Sequence, residues 1–151
     1  MGEDLRIFLV NQPTDIAEAW FAIREGLHEV QKKGHGEESD ESILLQLMNA
    51  QLFLWIIVNA DGYLGFFTTK KVFTLYQGDN VGTLIVNHYY KKTKQYQKDI
   101  NKIVNEFIDN HAKETGCKFI KMYTARTADR YWKDLGYLPT YTEYVKELTE
   151  D

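Results

Sequence analysis

The sequence predicts an α/β chain of the α+β type with a mixed central sheet, its elements running β-α-α-β-β-β-α-β-α-β. Three observations carry that prediction. Apolar residues recur at helical spacing in two long stretches, near residues 16–30 and 96–111. Between them lie three strand-length runs rich in aromatic and β-branched residues, separated by Asp61-Gly62 and by 77–80 (QGDN), which are hairpin signals. A further strand-length run, 117–125 (CKFIKMYTA), follows the second long helix.

The first run, 5–10 (LRIFLV), reads as a strand, and 11–15 (NQPTD) as a turn that opens a helix. Ile16, Ala19, Trp20, Ile23, Leu27 and Val30 mark one face of that helix, which Gly34 ends. Residues 35–41 (HGEESDE) are polar and acidic and read as an exposed loop. A shorter helix over 42–51 turns Ile43, Leu44, Leu47 and Met48 inward. Residues 52–59 (LFLWIIVN), 63–75 and 82–90 (GTLIVNHYY) then form an antiparallel meander. The longest helix takes Thr93 as its N-cap and sets Tyr96, Ile100, Ile103, Val104, Phe107, Ile108 and His111 on one stripe, with Gly116 just past its end. After the strand 117–125, Thr127 caps a short helix carrying Ala128, Tyr131, Trp132 and Leu135 and closed by Gly136. Residues 137–148 read as the last strand.

At 151 residues, 44% hydrophobic and 26% charged, the chain is expected to form one domain over 1–151 around a proper core. That hydrophobic fraction argues against disorder. The single cysteine, Cys117, excludes an intrachain disulfide and reads as a small buried apolar residue. The longest apolar run, 52–58, is too short to span a bilayer, and the opening Met-Gly-Glu-Asp lacks the basic-then-apolar order of a signal peptide. Arg6 stands where a myristoylation site wants Ser or Thr. A cytoplasmic chain with no membrane partner is therefore expected. The net charge of −4 argues against a globally basic nucleic-acid binder. His28, His35, Glu37 and Glu38 match no zinc-ligand spacing, so no metal is expected. No Gly-x-Ser-x-Gly, Walker loop or dinucleotide fingerprint occurs.

Two segments carry a family resemblance. Residues 128–137 (ADRYWKDLGY) resemble an Ala-x-x-aromatic-x-x-x-Gly-Phe/Tyr signature before a final strand, and 55–66 (WIIVNADGYLGF) resemble a strand and hairpin leading to x-x-Gly-Phe. With the element order, they make essentially the whole chain similar to the GCN5-related N-acetyltransferase (GNAT) family. The resemblance implies a GNAT-like acyl-CoA N-acyltransferase fold. The stretches 27–33, 41–51 and 141–148 are further similar to bacteriophage acetyltransferase-like proteins, which implies a host cytoplasm or a virion as location.

The resemblance also implies where the chemistry sits. Acetyl-CoA lies in this family against the fourth strand and the start of the long helix, its pyrophosphate held by a Gln/Arg-x-x-Gly-x-Gly/Ala loop. Exposed N–H groups at a helix N-terminus and the helix dipole favour an anion there. With Ile103-Val104 at the family's paired aliphatic positions, the loop is 95–100 (QYQKDI). Gln95 fits its first place, whereas Lys98 and Ile100 occupy both glycine places; 83–115 contains no glycine at all. Lys91, Lys92, Lys94, Lys98 and Lys102 are clustered instead. Lysine holds phosphate as a point charge, so the cluster fits a lysine-compensated cofactor site, a basic face for nucleic acid or an acidic protein, or a solvated helix start. Asn87, Tyr89, Gln95, Lys98 and Trp132 are the expected cofactor-binding residues. The family's late-helix tyrosine, general acid toward the thiolate, corresponds in position to Trp132, with Tyr131 as its neighbour. His88 has the chemistry of a general base and shares a strand face with Tyr90, and its default reading is a satisfied, partly buried strand residue. Glu29, Glu37 and Glu38, near the first helix and its loop, are candidates for lining an acceptor site, although their spacing does not single them out. The aromatic residues, Phe66, Phe67 and Phe73 among them, read as core and hairpin packing or in part as an exposed surface.

Three functions follow. The first is transfer of acetyl from acetyl-CoA to an amine-bearing small molecule or protein, through a degenerate pyrophosphate loop. The second is a catalytically inactive GNAT-fold protein with protein partners such as virion components. The third is a phosphate or nucleic-acid binder acting through the lysines. The resemblance also makes a homodimer an expectation.

Overall fold

Five strands form one sheet in the order β1-β2-β3-β4-β5. The structure is a computed structural model and describes residues 4–31, 38–76, 78–122 and 133–138, with 146 and 148. Its elements are β1 (Arg6–Val10), α1 (Pro13–Gln31), α2 (Asp40–Met48), β2 (Phe53–Asn59), β3 (Gly62–Tyr76), β4 (Asp79–Lys91), α3 (Gln97–Glu114) and β5 (Cys117–Met122). The first four strands pair antiparallel, and β5 returns parallel to β4 after the α3 crossover. This is the expected mixed sheet. The predicted late helix and last strand fall mostly outside the described residues; of them, Lys133 and Asp134 are helical, Gly136 follows with φ +88°, and Tyr137 and Leu138 have no regular structure.

The continuous apolar run of β2 has a direct cause: both of its faces are covered. Leu54 and Ile56 pack with Ile16, Ile23 and Leu27 of α1 and with Ile43 and Leu47 of α2. Trp55 and Ile57 pack with Ile100, Val104 and Ile108 of α3. Alternation along a strand sends neighbouring side chains to opposite faces, so each half of the run feeds a different core. Phe66 and Phe67 divide the same way and are fully buried, whereas Phe73, farther along β3, is 67% exposed.

Two glycines bring α1 and β3 tight against the end of β4. A Cβ on Gly26 would lie 2.6 Å from ring atoms of both Phe66 and Tyr90. A Cβ on Gly65 would lie 2.1 Å from the Tyr90 carbonyl oxygen. A β-bulge interrupts the β3–β4 ladder close by: Thr68 opposes His88 and Thr69 opposes Val86, leaving Asn87 as the extra residue.

Several boundaries differ from the sequence expectation, and α2 ends at Met48 rather than at 51. Asp40 and Glu41 belong to α2, because Ser39 caps it and accepts from the Ser42 N–H at 3.1 Å. Thr93 does not cap α3: its hydroxyl accepts from the Gln95 N–H two residues on, forming a local turn. The N-cap is Tyr96, and the helix starts at Gln97. Asp79 to Val81 extend β4 toward the turn, since β3 pairs with it as far as Tyr76.

Candidate active site

The fourth strand changes character at its bulge. From Gly82 to Val86 it is held by β3 on one side and by β5 on the other. Residues 88–91 pair with β3, opposite Thr68 to Gly65. The described pairing of β4 with β5 runs to Val86 and Met122, and the expected site residues of β4 follow directly.

Alternation distributes these residues between the two sides of the sheet. Tyr89 faces α3, where its hydroxyl donates to Asn101 Oδ1 at 2.7 Å. Lys91 Nζ donates to the same oxygen at 2.9 Å and lies 5.2 Å from the Tyr89 ring centre. This pair of bonds ties the end of β4 to the first turns of α3. Asn87 sits at the bulge, and its buried Oδ1 has no hydrogen-bond partner among the described residues. A buried acceptor left unmatched costs free energy, which a bound N–H donor would recover.

The start of α3 forms an open hollow of about 600 Å³ lined by Lys94, Tyr96, Gln97, Lys98, Asp99 and Asn101. Tyr96 is left-handed, with φ +63° and ψ +14°, and no side chain caps the helix. The conformation that favours glycine therefore falls on Tyr96, while Lys98 and Ile100, in the family's two glycine places, lie within the first helical turn, and Ile100 is fully buried. The lysines are not all gathered in one place. Lys94 and Lys98 line the hollow and Lys91 stands beside it, whereas Lys92 reaches the Tyr63 ring at 5.9 Å. Gln95 is exposed and does not line the hollow.

His88 and Tyr90 face the opposite side, toward α1 and α2. His88 is 7% exposed, with Nδ1 2.7 Å from Thr68 Oγ1 and Nε2 3.9 Å from Glu38 Oε1. Burial pushes its pKa below the ordinary value of 6.5; Glu38 pulls it back, and Lys70 adds to the lowering. A neutral imidazole at neutral pH follows, which is the form a general base needs. Tyr90 packs on Phe66 with ring centres 5.7 Å apart. Burial raises the Tyr90 pKa, and the Glu29 and Glu25 carboxylates raise it further. Glu38 itself is steadied from both helices: Gln46 Nε2 donates to its Oε2 at 2.7 Å, and Gln31 Nε2 to its backbone carbonyl at 2.8 Å. The helices are joined beside it by Asp40, which accepts from Arg24 at 3.0 Å and pairs with His28 at 2.7 Å. Burial works to raise the Asp40 pKa, but those two hydrogen bonds outweigh it and hold it below its usual value.

Of the expected site residues, the structure gathers Asn87, His88, Tyr89 and Lys98 around the end of β4 and the start of α3. Tyr131, Trp132 and Glu37 lie outside the described residues. Thr68, Gln46, Asn101 and Lys70 were not singled out from the sequence. Each is distant along the chain from the group it serves, and only the sheet register or a helix contact brings it there. Among the described residues no group of His, Cys, Asp and Glu could hold a metal ion, and no helix is long and apolar enough to cross a membrane.

No family profile matches the chain, and no curated protein sequence matches it. Solved structures do. The chain is similar to the ribosomal-protein-alanine N-acetyltransferase of Brucella melitensis biovar Abortus 2308, with TM-score 0.71 and 15% identity over 97% of this chain and 100% of that one. It is similar to a predicted acetyltransferase of Clostridium acetobutylicum solved with acetyl-CoA, with TM-score 0.68 and 15% identity over 95% and 96% of the two chains. It is also similar to glucosamine-6-phosphate N-acetyltransferase of Arabidopsis thaliana, with TM-score 0.67 and 12% identity over 97% and 100%. At these identities the likeness is one of fold, and it runs nearly the whole length of both chains in each pair.

Proposed function

We propose that this chain, which has the GNAT fold, is an N-acetyltransferase that carries acetyl from acetyl-CoA to an amine. One observation carries the reading. Beyond Val86, β4 carries a buried neutral histidine on one side of the sheet, with a lysine-lined helix start on the other. The residues present fit the cofactor. Lys94, Lys98 and the uncapped first turn of α3 suit a pyrophosphate, and the two lysines outnumber Asp99 in the same hollow. The left-handed turn at Tyr96 supports a loop that keeps its bend without glycine. The unmatched Asn87 Oδ1 suits an amide N–H of the pantetheine arm.

Acetyl-CoA supplies the acetyl group as an activated thioester. His88 Nε2 takes the proton that the attacking amine gives up. Tyr131 is our candidate for returning a proton to the departing thiolate, and Trp132 for packing against the cofactor. The test is thiol release from acetyl-CoA in the presence of a primary alkylamine. His88→Gln is expected to lower kcat about 100-fold, in the range of a lost general base, with the KM for acetyl-CoA unchanged. Because burial lowers the His88 pKa, the wild-type rate should rise with pH to a plateau, with a midpoint below 6.5. A His88→Gln enzyme as fast as the wild type removes the histidine from the reaction.

A further inference from the structure

β1 is the outer strand of the sheet, with β2 its one neighbour among the described residues. It carries no proline and no bulge, and Phe8 and Leu9, on its two faces, are 47% and 37% exposed. An apolar outer strand of this kind is a template for pairing with another chain. Its register against β2 fixes the faces. Arg6, Phe8 and Val10 stand opposite Val58, Ile56 and Leu54 on the α1 side, whereas Ile7 and Leu9 stand opposite Ile57 and Trp55 on the α3 side. On the α1 side a hollow of about 460 Å³ opens between β1 and α1, with Phe8, Val10, Asp15, Glu18, Ala19 and Ala22 among its walls. α1 begins at Pro13, three residues after Val10, so Asp15 and Glu18 in its first two turns give the hollow an acidic end near Val10. Arg6 lies at the other end of the strand. These three charged residues are exposed, and none makes an ion pair among the described residues.

We propose that this edge pairs with β1 of a second copy of this chain, antiparallel and about a two-fold axis at Phe8. An axis perpendicular to the sheet keeps both α1 helices on the same side. It sets Arg6 of each copy opposite Val10 of the other, Ile7 opposite Leu9, and the two Phe8 residues opposite each other. Directly opposed side chains stand about 5 Å apart on one face. Each position then meets what it lacks. The second copy's Phe8 ring enters the mouth of the hollow. The second copy's Arg6, opposite Val10, comes within reach of the Asp15 and Glu18 carboxylates, and symmetry repeats the contact at the other end. On the α3 side, the second copy's Ile7 covers Leu9. A parallel partner would instead set Arg6 beside Arg6, away from both carboxylates. The edge lies across the sheet from β5 and shares no residue with the His88 site or the hollow at α3, so the pairing does not depend on the acetyltransferase reading.

The experiment is sedimentation velocity of the full chain from micromolar to millimolar concentration, on the wild type and on two charge-reversed variants. The wild type should form a dimer that dissociates on dilution. Arg6→Glu sets carboxylate against carboxylate, and Asp15→Lys/Glu18→Lys sets cation against cation. Symmetry makes each change felt twice, so each variant alone should raise the dimer Kd at least tenfold. Mixed in equal amounts, the two variants should dimerise about as tightly as the wild type, because every charged contact across the axis is then between opposite signs. A wild type that stays monomeric at millimolar concentration, a dimer unchanged by Arg6→Glu, or no dimer on mixing overturns the pairing. Each variant is used once its Tm shows that it folds; if Asp15→Lys/Glu18→Lys does not fold, Arg6→Glu, a change at an exposed position, decides alone.

Discussion

At the scale of single residues, the polar groups inside the sheet are the most informative. Trp55 buries its indole against Phe67 and Phe107, and its N–H donates to Thr69 Oγ1 at 2.9 Å. Thr69 is 1% exposed, so no water replaces that acceptor. Thr69→Val keeps the shape and strands the donor, and should cost about 1–3 kcal/mol in denaturant unfolding. A loss within experimental error would show that the bond contributes nothing. Residues of this kind set the limit of what the sequence tells. His88 stands out by its type and by its place near the end of a strand. Thr68, twenty positions away, becomes its partner only through the β3–β4 register. The bulge at Asn87 is equally hidden, because one extra residue in a ladder leaves no mark in the pattern of apolar side chains.

At the scale of elements, the packing of α1 on β4 turns on a missing side chain. Gly26→Ala places a methyl 2.6 Å from Phe66 and Tyr90 ring atoms. Helix propensity returns about 1 kcal/mol, and overpacking costs about 1–3 kcal/mol. A net loss of about 1 kcal/mol is expected, seen as a fall in Tm of about 2–4 °C for a chain of this size. A stabilised variant would mean that α1 stands farther from β4 than described. Helices and strands were legible because their periodicities are strong: Ile16, Ile23 and Leu27 all face the core, as their spacing predicts. The start of α3 was less legible. Thr93 has the chemistry of a cap but spends its hydroxyl on Gln95, and the left-handed residue is a tyrosine, which no propensity favours there.

At the scale of the whole molecule, the fold was readable from element order and two short segments, and the solved acetyltransferases share it end to end. The lysine cluster and the acidic stretch were legible as runs in the sequence, but their placement on opposite sides of one sheet was not. The sheet separates lysines at the start of α3 from carboxylates near α1 and α2. The central claim is that the glycine-free helix start still binds acetyl-CoA. Calorimetric titration with acetyl-CoA tests it most directly, on the wild type and on a Lys94→Glu/Lys98→Glu variant with an unchanged Tm. The account predicts saturable binding, weakened at least tenfold in the variant. An absence of heat at millimolar acetyl-CoA, or equal affinity in the two proteins, would contradict it.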